Sequence, residues 1–486
     1  MFRTFGALTV ATLVAMPAHA LTAPELWADW QDVAERIGGT LTATEDYADG
    51  TLTLDDTTWA MTIMGVENVS NYGSVQLVER DDGSVEVVVP AEVSIASSGT
   101  IEGETFETTD TITHVGLSLV AREEGGERVY DYTAEEIAYV VQDPSGGTEE
   151  GFPTLTMTFT DYASTYRSGI GGDSDAFAQD MTLANLRFAL DDAAADGDAT
   201  FTYDMESVAG DVTGRYPDAP PKEGSSMFGS GFAFAATLTH EGTTLDLDAQ
   251  SPEGAMVLRG GAASGRWDVG LDGDVIRYDI GSQDATLSVQ PPGMPMAFDV
   301  AMASARSAFS FPMGQTEEAA PFGLTVDYQD LTLGDAVWSM FDPTGQLPRD
   351  PATLTLDLSG TANILVDVFG DPEAMIGMTE PPVLPETLDL STLLVRFGGA
   401  ELRGDGSVEF PAGQFPFPVG RVDLALDGGM TLLDRLVAMG LVPPAQATGI
   451  RAMSGVVMRS VGEDMMESTI EFTPGGGITA NGLPLQ

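Results

Sequence analysis

Along most of this chain the apolar residues return at every second position. Leu52 and Leu54 alternate with threonines. Val75 and Leu77 precede Arg80-Asp81-Asp82-Gly83, and Val85, Val87 and Val89 follow it. Such alternation marks a half-buried strand, and Asp-Gly between two alternating runs marks a hairpin turn. Pro90 then ends the second strand or places it at an edge, because proline cannot donate to a ladder. Trp59, Met61 and Ile63 continue on the opposite parity from Leu52 and Leu54, so Asp55-Asp56 must host a turn or a bulge. Similar runs recur at Leu155–Phe159, Leu186–Leu190, Phe201–Tyr203, Phe232–His240, Leu245–Ala249, Trp267–Leu271, Ile276–Ile280, Leu287–Val289 and Leu324–Leu333. Short strands with turn residues between them predict a mainly antiparallel β protein.

The run Thr353–Phe369 is the most informative. Leu354, Leu356, Leu358, Ala362, Ile364, Val366 and Val368 share one parity, and the other carries mostly Thr, Asp, Ser and Asn. Unbroken from 354 to 368, this would be a strand roughly 50 Å long at about 3.3 Å per residue, suited to a half-pipe with a greasy inside. A three-residue loop at Gly360-Thr361-Ala362 keeps the same parity across a hairpin and suits a sandwich. The hairpin is the favoured expectation, since strands that long are rare. The apolar face of Leu354, Leu356, Leu358, Ile364, Val366 and Val368 is the candidate ligand-binding surface.

Helical spacing appears in three places. Thr22-Ala23-Pro24-Glu25 is a capping box, and Leu26, Trp27, Trp30, Val33, Ala34 and Ile37 follow with a helical period until Gly38-Gly39. Two tryptophans on one face predict a plug that packs the helix onto a sheet. Near the other end, Leu432, Leu433, Leu436 and Val437 form a second run that stops at Gly440. Pro443-Pro444 opens a third, expected to bury Ala447, Ile450, Met453 and Val457. Around these, Thr387–Leu390 and Leu393–Phe397 read as extended chain ended by Gly398-Gly399. Gly404-Asp405-Gly406-Ser407 carries a tight-turn signal, and Pro474-Gly475-Gly476-Gly477 turns into a closing strand from Ile478 to Leu485. The fold class is therefore mainly β (α+β): large antiparallel sheets, sandwich or half-pipe, with an N-terminal helix and two short helices in a C-terminal module.

Several of these segments carry a resemblance. Leu388–Phe397, Gly404-Asp405-Gly406, Leu432–Met439, the ending Asn481-Gly482-Leu483-Pro484-Leu485 and the block from Asp342 to Pro351 resemble a family of exported bacterial proteins described only as a domain of unknown function. The likeness covers most of the chain and implies no activity. The long alternating strands are more distantly similar to those of AsmA-like envelope proteins, which implies lipid handling and outer-membrane upkeep.

Composition narrows the setting. Arg3, an apolar run from Phe5 to Met16 and Ala18-His19-Ala20 describe a secretory signal peptide cleaved near Ala20. That run is too short to span a bilayer, and no later run is long enough, so a periplasmic or secreted protein is expected with no transmembrane segment after cleavage. There is no cysteine and hence no disulfide, so the fold must rest on buried apolar surface, for which 43% hydrophobic residues is ordinary. The net charge of −55 repels phosphate backbones and excludes nucleic acid as a partner. The acids are scattered through turns, which fits solubility better than a dedicated cation site. Loop-like stretches lie at Gln142–Pro153, Tyr216–Gly231 and Gly370–Pro385; the last two, with the signal segment, divide the chain into residues 1–20, a β-rich region 21–220 with its leading helix, a central β region 221–375 and an α+β module 376–486.

No constellation of reactive side chains stands out. His114 and His240 are far apart and outside any metal-ligand spacing; His240 is expected at a strand end. There is no nucleophile elbow, phosphate loop or dinucleotide fingerprint. Asp173-Ser174-Asp175 and Asp246-Leu247-Asp248 resemble pieces of calcium loops without the glycine and distal glutamate, and solvated turns are expected there. Generous methionine use fits core filling. No catalytic residue, metal or cofactor is assigned. The leading expectation is a non-enzymatic envelope protein that binds a lipid, another apolar ligand or an envelope protein. The alternatives are a carboxylate-using hydrolase acting on polysaccharide, which needs only two well-placed acids, and a structural or scaffolding protein.

Overall fold

The computed structural model describes residues 20–485 apart from 64–65, 102–103, 143–153, 174, 195–196, 218–230, 253, 273–274, 367–380 and 414. The expected signal segment up to residue 19, the inner parts of the three expected linkers and Val368 lie outside the described residues.

Helix α1 (Ala23–Arg36) leads into β1 (Thr40–Ala48), β2 (Thr51–Ile63), β3 (Val66–Glu79), β4 (Val85–Val88), β5 (Glu92–Ile101), β6 (Glu104–Val115), β7 (Ser118–Glu124), β8 (Glu127–Gln142), β9 (Thr154–Ser168), β10 (Ala176–Ala194) and β11 (Gly197–Arg215). The middle holds β12 (Ala233–His240), β13 (Thr243–Ser251), β14 (Gly254–Ala262), β15 (Ser264–Asp272), β16 (Val275–Gln290), β17 (Phe298–Pro312) and β18 (Ala320–Leu333). After α2 (Asp335–Phe341) come β19 (Ala352–Ile364), β20 (Val383–Phe397), β21 (Ala400–Glu409), β22 (Val419–Asp427), α3 (Gly429–Ala438), α4 (Pro444–Val457), β23 (Arg459–Gly462), β24 (Met465–Thr473), β25 (Gly477–Ala480) and β26 (Leu483–Pro484).

All 26 strands of the described residues belong to one antiparallel sheet. It is a meander: nearly every strand pairs with its neighbours in sequence, from β1–β2 and β2–β3 through β8–β9, β9–β10, β10–β11, β16–β17 and β18–β19 to β22–β24. Ladders continue across residues 216–232, where β11 pairs with β12, and across residues 365–382, where β19 pairs with β20. In two regions one long path is broken in the middle. β4 and β5 lie end to end on β3, with Pro90 between them, and β7 and β6 lie end to end on β8. In the same way β12 and β13 share β11, and β15 and β14 share β16.

These breaks belong to a crease that crosses the sheet. Asp56 in β2, Asp161 in β9, Ser207 in β11, Asp284 in β16 and Asp330 in β18 all have left-handed φ near 50°, mid-strand. Asp is among the few residues with a side chain that tolerate this backbone. Along the crease inward-facing residues stand three apart instead of two: Phe159 and Tyr162 in β9, Leu183 and Leu186 in β10, Met205 and Val208 in β11, and His240 and Thr243 where β12 gives way to β13. Leu183, Met205 and Val208 are buried, and Phe159, Tyr162, Leu186, Tyr203, Leu238 and Trp267 pack on them from both sides. Apolar side chains from both sides of the crease thus meet over it, which makes it the floor of an apolar trough.

The long strands correct the expectation of short ones. β10 and β11 each have 19 residues, because positions that read as turns are bends within continuous ladders. β19 runs unbroken through Gly360, so the expected hairpin there is wrong; the strand also ends at Ile364, short of 368. Gly360 marks close packing instead of a turn: a Cβ there would stand 2.2 Å from the Thr387 carbonyl oxygen. Gly404-Asp405-Gly406 is likewise interior to β21, and a Cβ on Gly406 would meet the Arg421 carbonyl oxygen at 2.4 Å. The expected closing strand is two, β25 and β26, divided at Asn481-Gly482, both left-handed.

α1 has the expected capping box: the Glu25 N–H donates to Thr22 Oγ1 at 3.4 Å, and the Thr22 N–H donates to Glu25 Oε2 at 3.0 Å. It packs Leu26 and Trp27 against Leu54, Val75, Leu77, Val85 and Ala121, the best-buried cluster in the molecule. α3 has Gly428 at its cap and borrows its acceptor from afar, the Met430 and Thr431 N–H groups donating to Asp464 at 2.9 Å each. α4 buries Ala447 as expected, but Ile450 and Met453 are 45% and 70% exposed, because no element among the described residues lies against that face. No helix among the described residues is long and apolar enough to cross a membrane.

Candidate functional site: an apolar trough

Directly paired residues in an antiparallel sheet lie on the same face. Following the pairs from β10 gives one continuous row: Gln179, Val212, Ala236, Val269, Tyr278 and Phe309. It continues through Leu324, Leu358, Leu390, Gly406, Val422 and Ile470. The next row toward the crease reads Leu238, Trp267, Ile280, Ser307, Val326 and Leu356. From β8 to β24 this face crosses fourteen strands, about 60 Å at about 4.8 Å per strand.

Among the described residues no second layer of strands covers it. Val269, Ile280, Leu287 and Leu354 are 38%, 40%, 39% and 37% exposed, although each has apolar neighbours on the adjoining strands. Among the described residues neither outer strand, β1 or β26, pairs with the other, so the sheet stays open at both ends. A wide apolar surface left half-covered in a folded chain marks a binding surface.

The predicted residues sit on this face. Leu354 pairs with Tyr328 and Val395, Leu356 with Val326 and Leu393, and Leu358 with Leu324 and Leu390. Ile364 pairs with Val383 and is fully buried, so it supports the wall and offers nothing to a ligand. Val366 follows the end of β19 and is half-buried. The sequence reading missed the other strands of the surface. The signal was present as paired apolar positions three apart, at Phe159 and Tyr162 and at Met205 and Val208, but one strand read alone shows only a change of parity.

The other face is polar and acidic. Asp180 lies opposite Asp211, and Asp268 opposite Asp279. Arginines relieve the like charges: Arg306 donates to both oxygens of Asp279 at 2.8 and 2.6 Å, and Arg266 binds Asp268. Asp246 and Asp248 lie within β13 with Arg259 between them, at 2.7 and 2.6 Å. Asp173 pairs with Arg215, and Asp175 with Arg36 and Arg215. Both acid pairs expected in solvated turns are held in ion pairs. Among the described residues no group of three His, Asp or Glu is placed to hold a metal ion.

Polar side chains are also set into the apolar side. His240 ends β12 on the crease, 4% exposed and edge-on to Trp267; burial depresses its pKa, and the hydrogen bond with the Gly242 backbone opposes that. The Tyr139 hydroxyl donates to Asp110, and burial, with help from that bond, pushes the phenol up to about 12. His114 binds the Pro90 carbonyl oxygen at 2.8 Å.

No family model matches the chain, and no curated protein or solved structure matches it either.

Proposed function

We propose that this chain is an exported, non-enzymatic envelope protein of the periplasm whose trough holds a lipid or another apolar ligand. The observation that carries this reading is the mostly apolar row across the sheet, on whose face Val269, Ile280, Leu287 and Leu354 remain more than a third exposed. An acyl chain laid along the crease would remove that surface from water, worth about 1 kcal/mol for each half-exposed leucine or valine covered. The acidic outer face accounts for the charge and keeps so large a sheet soluble. A distant relationship to AsmA-like envelope proteins belongs to the same proposal. The polysaccharide hydrolase finds less support, since Asp246 and Asp248 are tied to one arginine on a sheet face.

Native mass spectrometry of the protein purified from the periplasm, with extraction of bound lipid, tests the reading together with titration by a fluorescent alkyl probe. Co-purifying acyl lipid and saturable probe binding are expected. Bare polypeptide that leaves the probe in water would end it.

One observation favours a second reading, docking of an envelope protein at the C-terminal end. Leu441, Ile450, Met453 and Val456 are 50%, 45%, 70% and 55% exposed on and beside α4. Met453→Glu should abolish co-purification of such a partner; an unchanged set of co-purifying proteins would discard this reading.

A further inference from the structure

Between α1 and the sheet lies a chamber of about 760 Å³, within the usual range for a small-ligand site. Trp30 of α1, Tyr72 of β3, Tyr132 of β8, Tyr166 of β9 and Tyr216, which follows β11, line it. Each of these rings is only partly buried, and none is sealed into the core. They are also held in place by their neighbours. Trp30 Nε1 donates to the Tyr130 hydroxyl at 3.2 Å, and the Tyr166 and Tyr216 hydroxyls meet at 2.8 Å. The Tyr130 ring stands 5.7 Å from that of Tyr166 and 6.4 Å from that of Tyr132. Rings fixed before a ligand arrives lose little freedom when it binds.

The charge of the lining is negative. Asp29, Asp32, Glu123 and Glu127 stand against Arg36 and Arg128. Each arginine is already tied to carboxylates: Arg128 meets Asp29 at 2.7 Å, and Arg36 meets Asp32 at 2.6 Å and also Asp175. Glu123 and Glu127 are left as the excess. The net charge of −55 on the whole chain adds a field of the same sign.

These features select one class of ligand. An anion is repelled by the lining. A metal ion needs a shell of ligands, and among the described residues no group of three His, Asp or Glu is placed to supply one. A neutral apolar molecule gains from the rings and nothing from the acids. A cation with alkyl groups on its nitrogen gains from both, because ring faces attract positive charge most strongly where water is scarce. Burial pushes the Tyr130 phenol up to about 12, which marks this chamber as such a place.

We propose that the chamber is a binding site for a small organic cation of the quaternary ammonium class, seated against Trp30, Tyr132 and Tyr166 and balanced by Glu123 and Glu127. The site is separate from the trough, and this inference does not rest on the lipid reading.

The test uses the purified protein and three probes. Choline is the cation. Dimethylbutanol is its neutral analogue, with carbon in place of nitrogen. Phosphocholine carries the same cation on a phosphate, as a lipid head group does. Binding is read by calorimetry and tryptophan emission. Choline should bind about tenfold more tightly than dimethylbutanol, the margin that a desolvated contact between a cation and aromatic rings supplies. It should also bind more tightly than phosphocholine, whose phosphate meets the acids. Tyr132→Phe keeps the ring and should keep the affinity for choline, whereas Tyr132→Leu should lower it about tenfold. Glu123→Gln with Glu127→Gln should weaken choline and leave dimethylbutanol unchanged.

Absence of choline binding overturns the proposal, as does equal binding of the neutral analogue or tighter binding of phosphocholine. Choline binding that survives both Tyr132→Leu and the double glutamate variant is attachment to the acidic surface and overturns it too. If Tyr132→Leu fails to fold, the probe series and the glutamate variant decide. Alkyl-probe binding without choline binding removes this inference and leaves the trough; choline binding without alkyl-probe binding removes the trough and leaves this inference.

Discussion

Gly360 of β19 and Phe322 of β18 are direct cross-strand partners, and the Phe322 ring lies over the glycine so closely that a Cβ there would stand 2.8 Å from its Cζ. The ring occupies the space that a side chain on Gly360 would need. The same position lies under the Thr387 carbonyl oxygen of β20, so neither neighbour has room to yield. The glycine that reads in the sequence as a turn is the point where three strands approach most closely.

Gly360→Ala is accordingly expected to destabilise the protein by about 1–3 kcal/mol, the usual cost of overpacking a tight site. Urea unfolding followed by circular dichroism reads this as a lower midpoint with an unchanged slope. A midpoint equal to that of the parent would show that the strands separate at no cost and would remove the close-packing account.

Leu358 and Ser359 are neighbours on opposite faces of one strand. Leu358→Asn places an amide in the trough and should weaken alkyl-probe binding about tenfold, since an unsatisfied buried amide costs about 1–3 kcal/mol. Ser359→Asn, facing the acidic side, should leave the titration unchanged. Equal effects from both would mean that the probe does not bind the apolar face.

His240 makes stability depend on pH. Its folded pKa lies below the ordinary value because burial disfavours the charged ring. The unfolded chain therefore binds the proton more readily, and stability is full above the unfolded pKa near 6.5 and falls as pH drops toward the folded one. Melting temperature should decline between pH 7.5 and 5.5 in the parent and decline less in His240→Leu. The carboxylates that hold their protons least, such as Asp342 beneath the Gln346 and Leu347 N–H groups, lose their contribution only at lower pH. Parallel curves for parent and variant would acquit His240.

Thr22→Ala removes the side-chain acceptor of the α1 capping box and should cost about 1 kcal/mol. The midpoint of guanidinium unfolding, read by tryptophan emission from Trp27 and Trp30, should fall. No change would mean that the packing of α1 on Leu54 and Leu77, and not its cap, holds the helix in place.

Much of this architecture is local and was legible before any coordinates. Alternation in β2, β3 and β19 specified strands with one apolar face, because side chains in extended chain point to opposite sides at every step. Thr22 and Glu25 specified where α1 begins, because they satisfy each other's backbone within one turn. The parity change at Asp55-Asp56 even exposed one bend of the crease. What tertiary structure alone decided was the relation between strands. Gly360, Gly404 and Gly406 look like turns in isolation, and only their neighbours show that they are points of close approach. The exposure of Ile450 and Met453 depended on whether anything lay against α4. The trough itself depended on register: apolar positions three residues apart in many strands build one floor only when those strands pair in step, and pairing is a property of partners that no single strand encodes.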